Sequence, residues 1–393
     1  MSLKRPWFIL PLIVFSQFAG TSLWFASNAV LPEIQEIYGY GQGSLGQITS
    51  SIQFGFIVGT LVFAFLNIAD RFSAVRVFLI CSLAGSLSNL LLIPAIENLN
   101  LVLGLRFLTG IFLAGIYPVG MKISASWYPQ GLGKALGFLV GALVIGTAFP
   151  HFLNALGNGF SWQDVLYSVS ILSALGGIML AIFVPNGPSH SSPGKFDPAA
   201  LMKIFKAPKF RAAAFGYFGH MWELYAFWAF VPFFLEAYAR IHEIDFLPVP
   251  LWSFIIIASG FIGCAGGGIL SLKMGSARVA FANLGLSGFL CLLSPLIFFL
   301  PPYLFLLSLV IWGITVVGDS PQFSSLTART APPELVGSGL TIVNSIGFAI
   351  TIFSIQLCTY LSMEIPPQYL FLVLIPGPVF GLISIRKLQA TAQ

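Results

Sequence analysis

Residues 7–31 read WFILPLIVFSQFAGTSLWFASNAVL and contain no charged side chain. A helix needs about 20 mostly apolar residues to cross a bilayer, so this stretch predicts a membrane span. It is too long for the apolar core of a signal peptide, and we expect no cleaved leader. Eleven similar stretches follow, so the sequence predicts an all-α membrane protein. The twelve predicted spans are 7–31, 47–69, 76–96, 100–123, 134–157, 162–184, 211–236, 250–272, 278–299, 303–327, 337–359 and 368–386.

The composition indicates that lipid is the solvent of this chain. Of its 393 residues, 57% are hydrophobic and 8% are charged, whereas soluble proteins carry about 25% charged residues. So few charges exclude a cytosolic enzyme, a nucleic-acid-binding protein and a disordered chain. The four cysteines all lie in apolar stretches, where we expect buried thiols and neither disulfides nor a metal site. They are Cys81, Cys264, Cys291 and Cys358.

The basic residues predict the orientation of the chain. Lys4 and Arg5 precede the first span, and nearly all of the 18 lysines and arginines lie in loops on that same side. Cytoplasmic loops carry such an excess, so both termini are predicted to be cytoplasmic. We expect a multi-pass protein of the plasma membrane, or of the inner membrane in a Gram-negative bacterium.

The two parts of the chain carry matching features at a nearly constant spacing. The sequence GIYP at 115–118 in span 4 is matched by GDSP at 318–321 in span 10, 203 residues later. Pro32, expected to end span 1, is matched by Pro232 in span 7, 200 residues later. A constant offset in the same order predicts a parallel repeat of two six-helix halves. Solute sites in such repeats lie between the halves near the membrane midplane.

The predicted organisation has three parts. An N-terminal half covers 1–184 and a C-terminal half covers 211–393. Between them, 185–210 begins with a Pro-, Gly- and Ser-rich stretch typical of a flexible linker. Apolar and basic residues alternate at helical spacing in 198–207, which predicts a short amphipathic helix on the cytoplasmic membrane face.

Two motifs support a resemblance to a known family. The turn between spans 2 and 3 contains Asp70 and Arg71, which partly match the pattern G-x-L-x-D-R-x-G-R-[KR]. Span 4 contains Arg106 four residues before Gly110, which matches R-x-x-x-G. With these motifs the whole chain resembles the major facilitator superfamily. Its glycine-rich spans 4–5 and 10–11 are most similar to the nitrate/nitrite and cyanate permease branch.

The resemblance implies a twelve-helix 6+6 fold that works by alternating access. It also implies that Asp70 and Arg71 form a cytoplasmic latch that acts in gating. The arginine that matches Arg106 is linked in this family to proton coupling or to bonding between helices. Nitrate porters hold their anion with arginines in spans 2 and 8, whereas span 2 here offers Gln53. Nitrate is therefore not the expected substrate.

Charged residues deep in the membrane are candidates for function. A charge at the bilayer centre costs at least about 2.5–3.5 kcal/mol, and only Arg106, Glu223 and Asp319 lie deep in the predicted spans. Glu223 is predicted to couple protons or to contact the substrate, together with His220 on the same helix face. The alternative is a structural pair of Glu223 with His220 or with Arg106.

Span 10 is predicted to bend where Gly318 and Pro321 flank Asp319, because proline cannot donate to the helix ladder. Asp319, Ser320 and Gln322 would then face a cavity. The alternative is that Asp319 or Ser320 merely satisfies backbone amides at the bend.

Uncharged polar and aromatic side chains also indicate a cavity. We predict that Asn28, Asn344, Tyr117 and Trp24 contribute to the substrate site. The aromatic residues of span 7 could contribute as well: Trp222, Tyr225 and Trp228. The alternative for the amides is bonding between helices, and for the aromatic residues a place at the membrane interface.

Together these features predict a secondary transporter for a small solute, coupled to protons in symport, with a small organic anion as the favoured substrate. The alternative is a proton-driven efflux antiporter for organic or cationic compounds. A phosphate-binding GxxxxGK[ST] loop and the HExxH and GxSxG motifs are absent from the sequence. We therefore expect no enzyme activity, catalytic residues, cofactor or metal. The expected partners are the solute, protons and the bilayer, and the expected state is a monomer.

Overall fold

The computed structural model describes residues 6–128, 132–157, 160–187, 204–244, 247–332 and 335–389, with only the backbone described for Asp70 and 132–134. These ranges contain twelve helical segments long and apolar enough to cross a membrane, which confirms the predicted all-α protein with twelve spans. The linker residues 188–203, with most of the predicted amphipathic helix, lie outside the described ranges. The spans are Ile9–Tyr38, Ser44–Phe65, Ala74–Ala95, Leu99–Trp127, Ala135–Asn154, Trp162–Phe183, Pro208–Ile241, Val249–Met274, Ser276–Ile297, Pro302–Thr330, Val336–Glu364 and Pro367–Leu388.

Several spans are built from two helical segments. Span 10 breaks between Gly318 and Ser320, as predicted, and span 4 breaks at the matching place. In both, a proline lies in the first turn of the second segment, where its missing N–H costs no helical hydrogen bond. The segments are Ile9–Thr21 and Ala26–Tyr38 in span 1, Leu99–Ala114 and Tyr117–Trp127 in span 4, Val249–Ala258 and Gly260–Met274 in span 8, and Pro302–Gly318 and Ser320–Thr330 in span 10.

The predicted end of span 1 is wrong. Pro32 lies inside the helix Ala26–Tyr38, and the chain leaves this helix at Gly39, whose φ of +67° suits glycine. Spans 7 and 11 are also longer than predicted. A count of apolar residues stops where polar side chains begin, whereas the helix continues with polar residues beyond the hydrocarbon core.

The first six and last six spans meet along two helix pairs. Span 2 packs on span 11, and span 5 packs on span 8. Across the first pair, the amide of Gln356 donates to the hydroxyl of Ser50 at 2.8 Å, and Gly46 lies against Thr359. Small residues at such contacts let membrane helices approach closely.

Glycine residues permit a very close helix contact between spans 2 and 4. A Cβ atom added to Gly110 would lie 2.7 Å from the backbone nitrogen of Phe56. We expect Gly110→Ala to force the two backbones apart and to lower the free energy of unfolding by about 1–3 kcal/mol. The measurement is thermal unfolding of the purified protein. Gly266→Ala is the matched control, because nothing lies within 4 Å of its added Cβ atom. Equal melting temperatures for the two variants would contradict this packing.

Candidate functional site

A small cavity of about 20 Å³, closed to all but a water-sized molecule in this state, lies between the first six and the last six spans. Its wall comes from spans 4, 5, 7, 10 and 11, so both parts of the repeat contribute to it. This is the location expected for a solute site in a parallel repeat. The lining residues are Tyr117, Val140, Leu143, Tyr217, Met221, Leu224, Tyr225, Trp228, Val317, Ser320 and Phe348.

The helix breaks position two of the lining residues. Tyr117 is the first residue of the second segment of span 4, and Ser320 is the first residue of the second segment of span 10. The unbroken span 7 contributes Tyr217, Met221 and Leu224, which recur at a spacing of three to four residues and so share one helix face. Two broken helices and one continuous helix therefore form most of the wall.

Among the described residues, the wall offers hydrogen-bond donors and no charged side chain. The hydroxyls of Tyr117, Tyr217 and Tyr225 have no hydrogen-bond partner in the same part of the chain. The indole N–H of Trp228 is buried and also has no partner there. Buried donors usually have a partner, so these groups are available to a bound solute.

A titratable pair lies directly behind the wall. The imidazole Nδ1 of His220 is 2.8 Å from the carboxylate Oδ1 of Asp319, and both side chains are at most 1% exposed. Asp319 lies at the break of span 10, between the lining residues Val317 and Ser320. His220 adjoins the lining residues of span 7. A proton taken up by this pair would therefore be held next to the cavity.

Glu223 faces a different environment. Its carboxylate accepts hydrogen bonds from Ser287 Oγ and from Trp312 Nε1, each at 2.9 Å, and from Cys291 Sγ at 3.3 Å. These partners belong to spans 9 and 10, and Glu223 does not line the cavity. Neither His220 nor Arg106 is its partner. A role for Glu223 in coupling stays a prediction, and its contacts are those of a link between spans 7, 9 and 10.

Arg106 closes the break of span 1. Its guanidinium donates from Nη1 to the carbonyl of Leu23 at 3.0 Å and from Nη2 to the carbonyl of Trp24. Both carbonyls lie in the turn between the two segments of span 1, where the helix ladder leaves them without amide partners. The side chain is fully buried, and no carboxylate in the described ranges pairs with it.

Trp24 connects the two sets of spans through its indole ring. The ring lies 5.7 Å from the ring of Tyr225 and is stacked 5.6 Å from that of Phe348, both of which line the cavity. It also lies 4.9 Å from Phe56 in span 2. Trp24 therefore covers the cavity from the side of span 1.

The other predicted residues are spread around the molecule. Asn28 donates to Thr49 Oγ1 at 2.7 Å, which joins spans 1 and 2. Gln322 is buried and Asn344 is half-buried, and neither lines the cavity. Arg71 is exposed, and the side chain of Asp70 lies outside the described residues. The roles predicted for these residues stay predictions.

Tyr217 lines the cavity although the sequence did not single it out, and it adds a third hydroxyl that has no partner among the described residues. Of the three aromatic residues named for span 7, Tyr225 and Trp228 line the cavity, whereas Trp222 donates its indole N–H to the carbonyl of Val373 at 3.1 Å. The spacing of Tyr217, Leu224 and Trp228 was a usable signal, because it places all three on one helix face.

The profile described as Major Facilitator Superfamily matches residues 13–355. The chain belongs to the major facilitator superfamily. Its fold is similar to that of the fucose:proton symporter FucP of E. coli, with a TM-score of 0.66 and 15% identity over 96% of this chain and 98% of that one. Membership in the branch of nitrate/nitrite and cyanate permeases stays a prediction.

Two curated relatives are transporters of organic acids by name. A probable galactarate/D-glucarate transporter of Bacillus subtilis is 27% identical over 45% of this chain and 39% of its own length. A gentisate transporter of Corynebacterium glutamicum is 28% identical over 43% of this chain and 38% of its own length. The chain thus matches about two fifths of each relative. At the level of the family, the prediction of a multi-pass membrane protein of the major facilitator superfamily is confirmed.

Arg106→Gln tests the closure of the span 1 break. A glutamine cannot reach both carbonyls with the fork of donors that arginine supplies, and each buried carbonyl left unsatisfied costs about 1–3 kcal/mol. We expect the apparent melting temperature to fall by several degrees, with Arg106→Lys between this variant and the unchanged protein. A melting temperature for Arg106→Gln equal to that of the unchanged protein would contradict the assignment.

Glu223→Gln separates a structural role from a role in coupling. Glutamine keeps one of the two acceptor oxygens, so we expect a loss of about 1–3 kcal/mol in stability. Affinity for the transported solute should stay within about twofold, because sites without shared partners act independently. The measurements are thermal unfolding and ligand titration. Unchanged stability with lost coupling would instead support the sequence-based prediction for Glu223.

Proposed function

We propose that this protein is a secondary transporter that carries a small organic anion together with a proton, by alternating access of the cavity between the two six-helix halves. The observation that carries the proposal is a titratable pair, His220 and Asp319, directly behind a cavity lined by hydrogen-bond donors and no charged side chain. The halves would rock about this cavity, which both of them line.

Electrostatics favours symport of an anion with a proton. Moving an anion into an uncharged, low-dielectric cavity is expensive unless its charge is neutralised. A proton taken up by the His220–Asp319 pair would cancel the negative charge of the Asp319 carboxylate and remove its repulsion of the anion, without a fixed cation in the wall. The anion and the proton would then cross as a neutral sum. The similarity in fold to a fucose:proton symporter is consistent with proton coupling.

The nature of the wall supports an anion over a cation. Hydroxyl and indole groups donate hydrogen bonds to carboxylates, whereas no carboxylate lines the described cavity to balance a cation. Two relatives are named for organic acids. No arginine is among the described residues that line the cavity, so we do not propose nitrate as the substrate.

We extend the proposal to a cytoplasmic gate formed by Asp70 and Arg71. Asp70 and Arg71 would latch the turn between spans 2 and 3 to span 4 in one state of the cycle. The side chain of Lys122 in span 4 donates to the carbonyl of Ala69 at 2.5 Å, next to this turn. Breaking that contact would free the turn when the halves move. We further propose both termini on the cytoplasmic side and a monomeric transporter.

Asp319→Asn tests the coupling. Purified protein is placed in liposomes that hold a pH-sensitive dye, and aromatic and aliphatic sulfonates and hydroxy-dicarboxylates are added outside, because such anions do not cross lipid unaided. We expect the lumen to become acidic with at least one anion. Asp319→Asn should reduce this signal more than tenfold, since an amide cannot take up and release the proton.

Asp164→Asn is the matched control, because Asp164 caps the start of span 6 and lies outside the cavity. Entry of an anion without a change in lumen pH would contradict coupling. Entry of a quaternary ammonium ion while every anion stays outside would contradict the proposed substrate class and support the cation antiporter.

A further inference from the structure

The apolar character of the cavity restricts which organic anion fits. Five of its eleven lining residues are aromatic, five are aliphatic or methionine, and only Ser320 is a small polar residue. A solute with many hydroxyls would lose water at each of them and meet only the tyrosine hydroxyls, the Trp228 N–H and Ser320 as partners in this wall. A flat aromatic ring would instead pack against aromatic faces at little polar cost.

Besides this aromatic surface, the wall has polar groups without a partner among the described residues, and each of them can donate a hydrogen bond. The indole N–H of Trp228 can only donate, and it has no partner in the part of the chain that the structure describes. The hydroxyls of Tyr117, Tyr217 and Tyr225 can donate as well. A buried donor without a partner is rare in native proteins. A carboxylate has lone pairs for several donors and would satisfy them together.

The position of Trp228 is fixed by its neighbours. Its ring lies edge-on to Tyr225 at 5.3 Å and to Phe25 of span 1 at 6.4 Å. The indole therefore has little rotational freedom. A donor held in this way adds specificity, because a solute without a matching acceptor leaves it unpaired.

We infer that the solute is an aromatic carboxylic acid in its anionic form, with its ring packed against the aromatic wall and its carboxylate bound by the indole N–H of Trp228 and the neighbouring tyrosine hydroxyls. Trp228 is then a residue that determines specificity for the acid group. This inference rests on the proposed transport of an organic anion and narrows its substrate class.

Four probes separate the contributions in the unchanged protein. Benzoate carries a flat ring and an acid group, cyclohexanecarboxylate has the same charge without the aromatic ring, D-glucarate is polyhydroxylated, and benzyltrimethylammonium is an aromatic cation. Affinities are measured by titration calorimetry on the purified full-length chain. We expect benzoate to bind about fivefold or more tightly than cyclohexanecarboxylate, and D-glucarate and the cation to bind more weakly still.

Trp228→Phe then removes the N–H and keeps an aromatic ring. We expect it to weaken benzoate about tenfold. Trp222→Phe is the matched control on the same helix, because the indole of Trp222 is already bonded to the carbonyl of Val373. That variant should bind benzoate as the unchanged protein does.

A failure of this inference can be told apart from a failure of the proposed anion transport. Tighter binding of D-glucarate or of cyclohexanecarboxylate than of benzoate overturns the aromatic inference and leaves anion transport standing. Binding of the cation alone overturns both. Absence of binding by all four probes overturns the inference, while anion transport is then judged by the liposome assay. Equal benzoate affinity in Trp228→Phe and in the unchanged protein overturns the role of Trp228, and the ranking of the probes needs no variant to fold.

Discussion

Lipid offers no hydrogen-bond partners, and this constraint determines where the chain can interrupt a membrane helix. The breaks in spans 1, 4 and 10 are all closed by groups of the protein itself. Arg106 donates to the two carbonyls freed in span 1. In span 4 the amides of Gly115 and Ile116 bond to carbonyls three residues earlier. In span 10 the carbonyl of Asp319 accepts from two amides of the following segment.

Irregular backbone at membrane depth is tolerated where it lines a cavity, and the two similar breaks do so here. Tyr117 and Ser320 stand at matching places in spans 4 and 10, and both contribute to the cavity wall. The same break in span 10 brings Asp319 to His220. The requirement that a helix break line a cavity thus places the solute cavity and the His220–Asp319 pair side by side. Trp24 of the broken span 1 covers this cavity.

The number of spans and the bend in span 10 could be predicted because they depend on local features, an apolar run and a proline beside a glycine. The break at Ser22–Phe25 could not, since its stabilising partner Arg106 lies more than 80 residues away in sequence. The sequence also did not indicate which neighbouring helices the Glu223 side chain contacts. Span 7 is apolar on nearly all sides, so spacing shows which side chains share a face but not which face meets the cavity. The pairing of His220 with Asp319 follows only from the packing of spans 7 and 10.

The most direct test of the account is the location of a bound anion. The protein would be crystallised with a bromine-labelled aromatic acid such as 4-bromobenzoate, and the bromine located by its anomalous scattering. We predict one anomalous peak in the cavity between the two sets of spans, in contact with Tyr117, Trp228 or Ser320. A peak inside either six-helix set, or none at saturating ligand, would contradict the assignment of this cavity as the solute site.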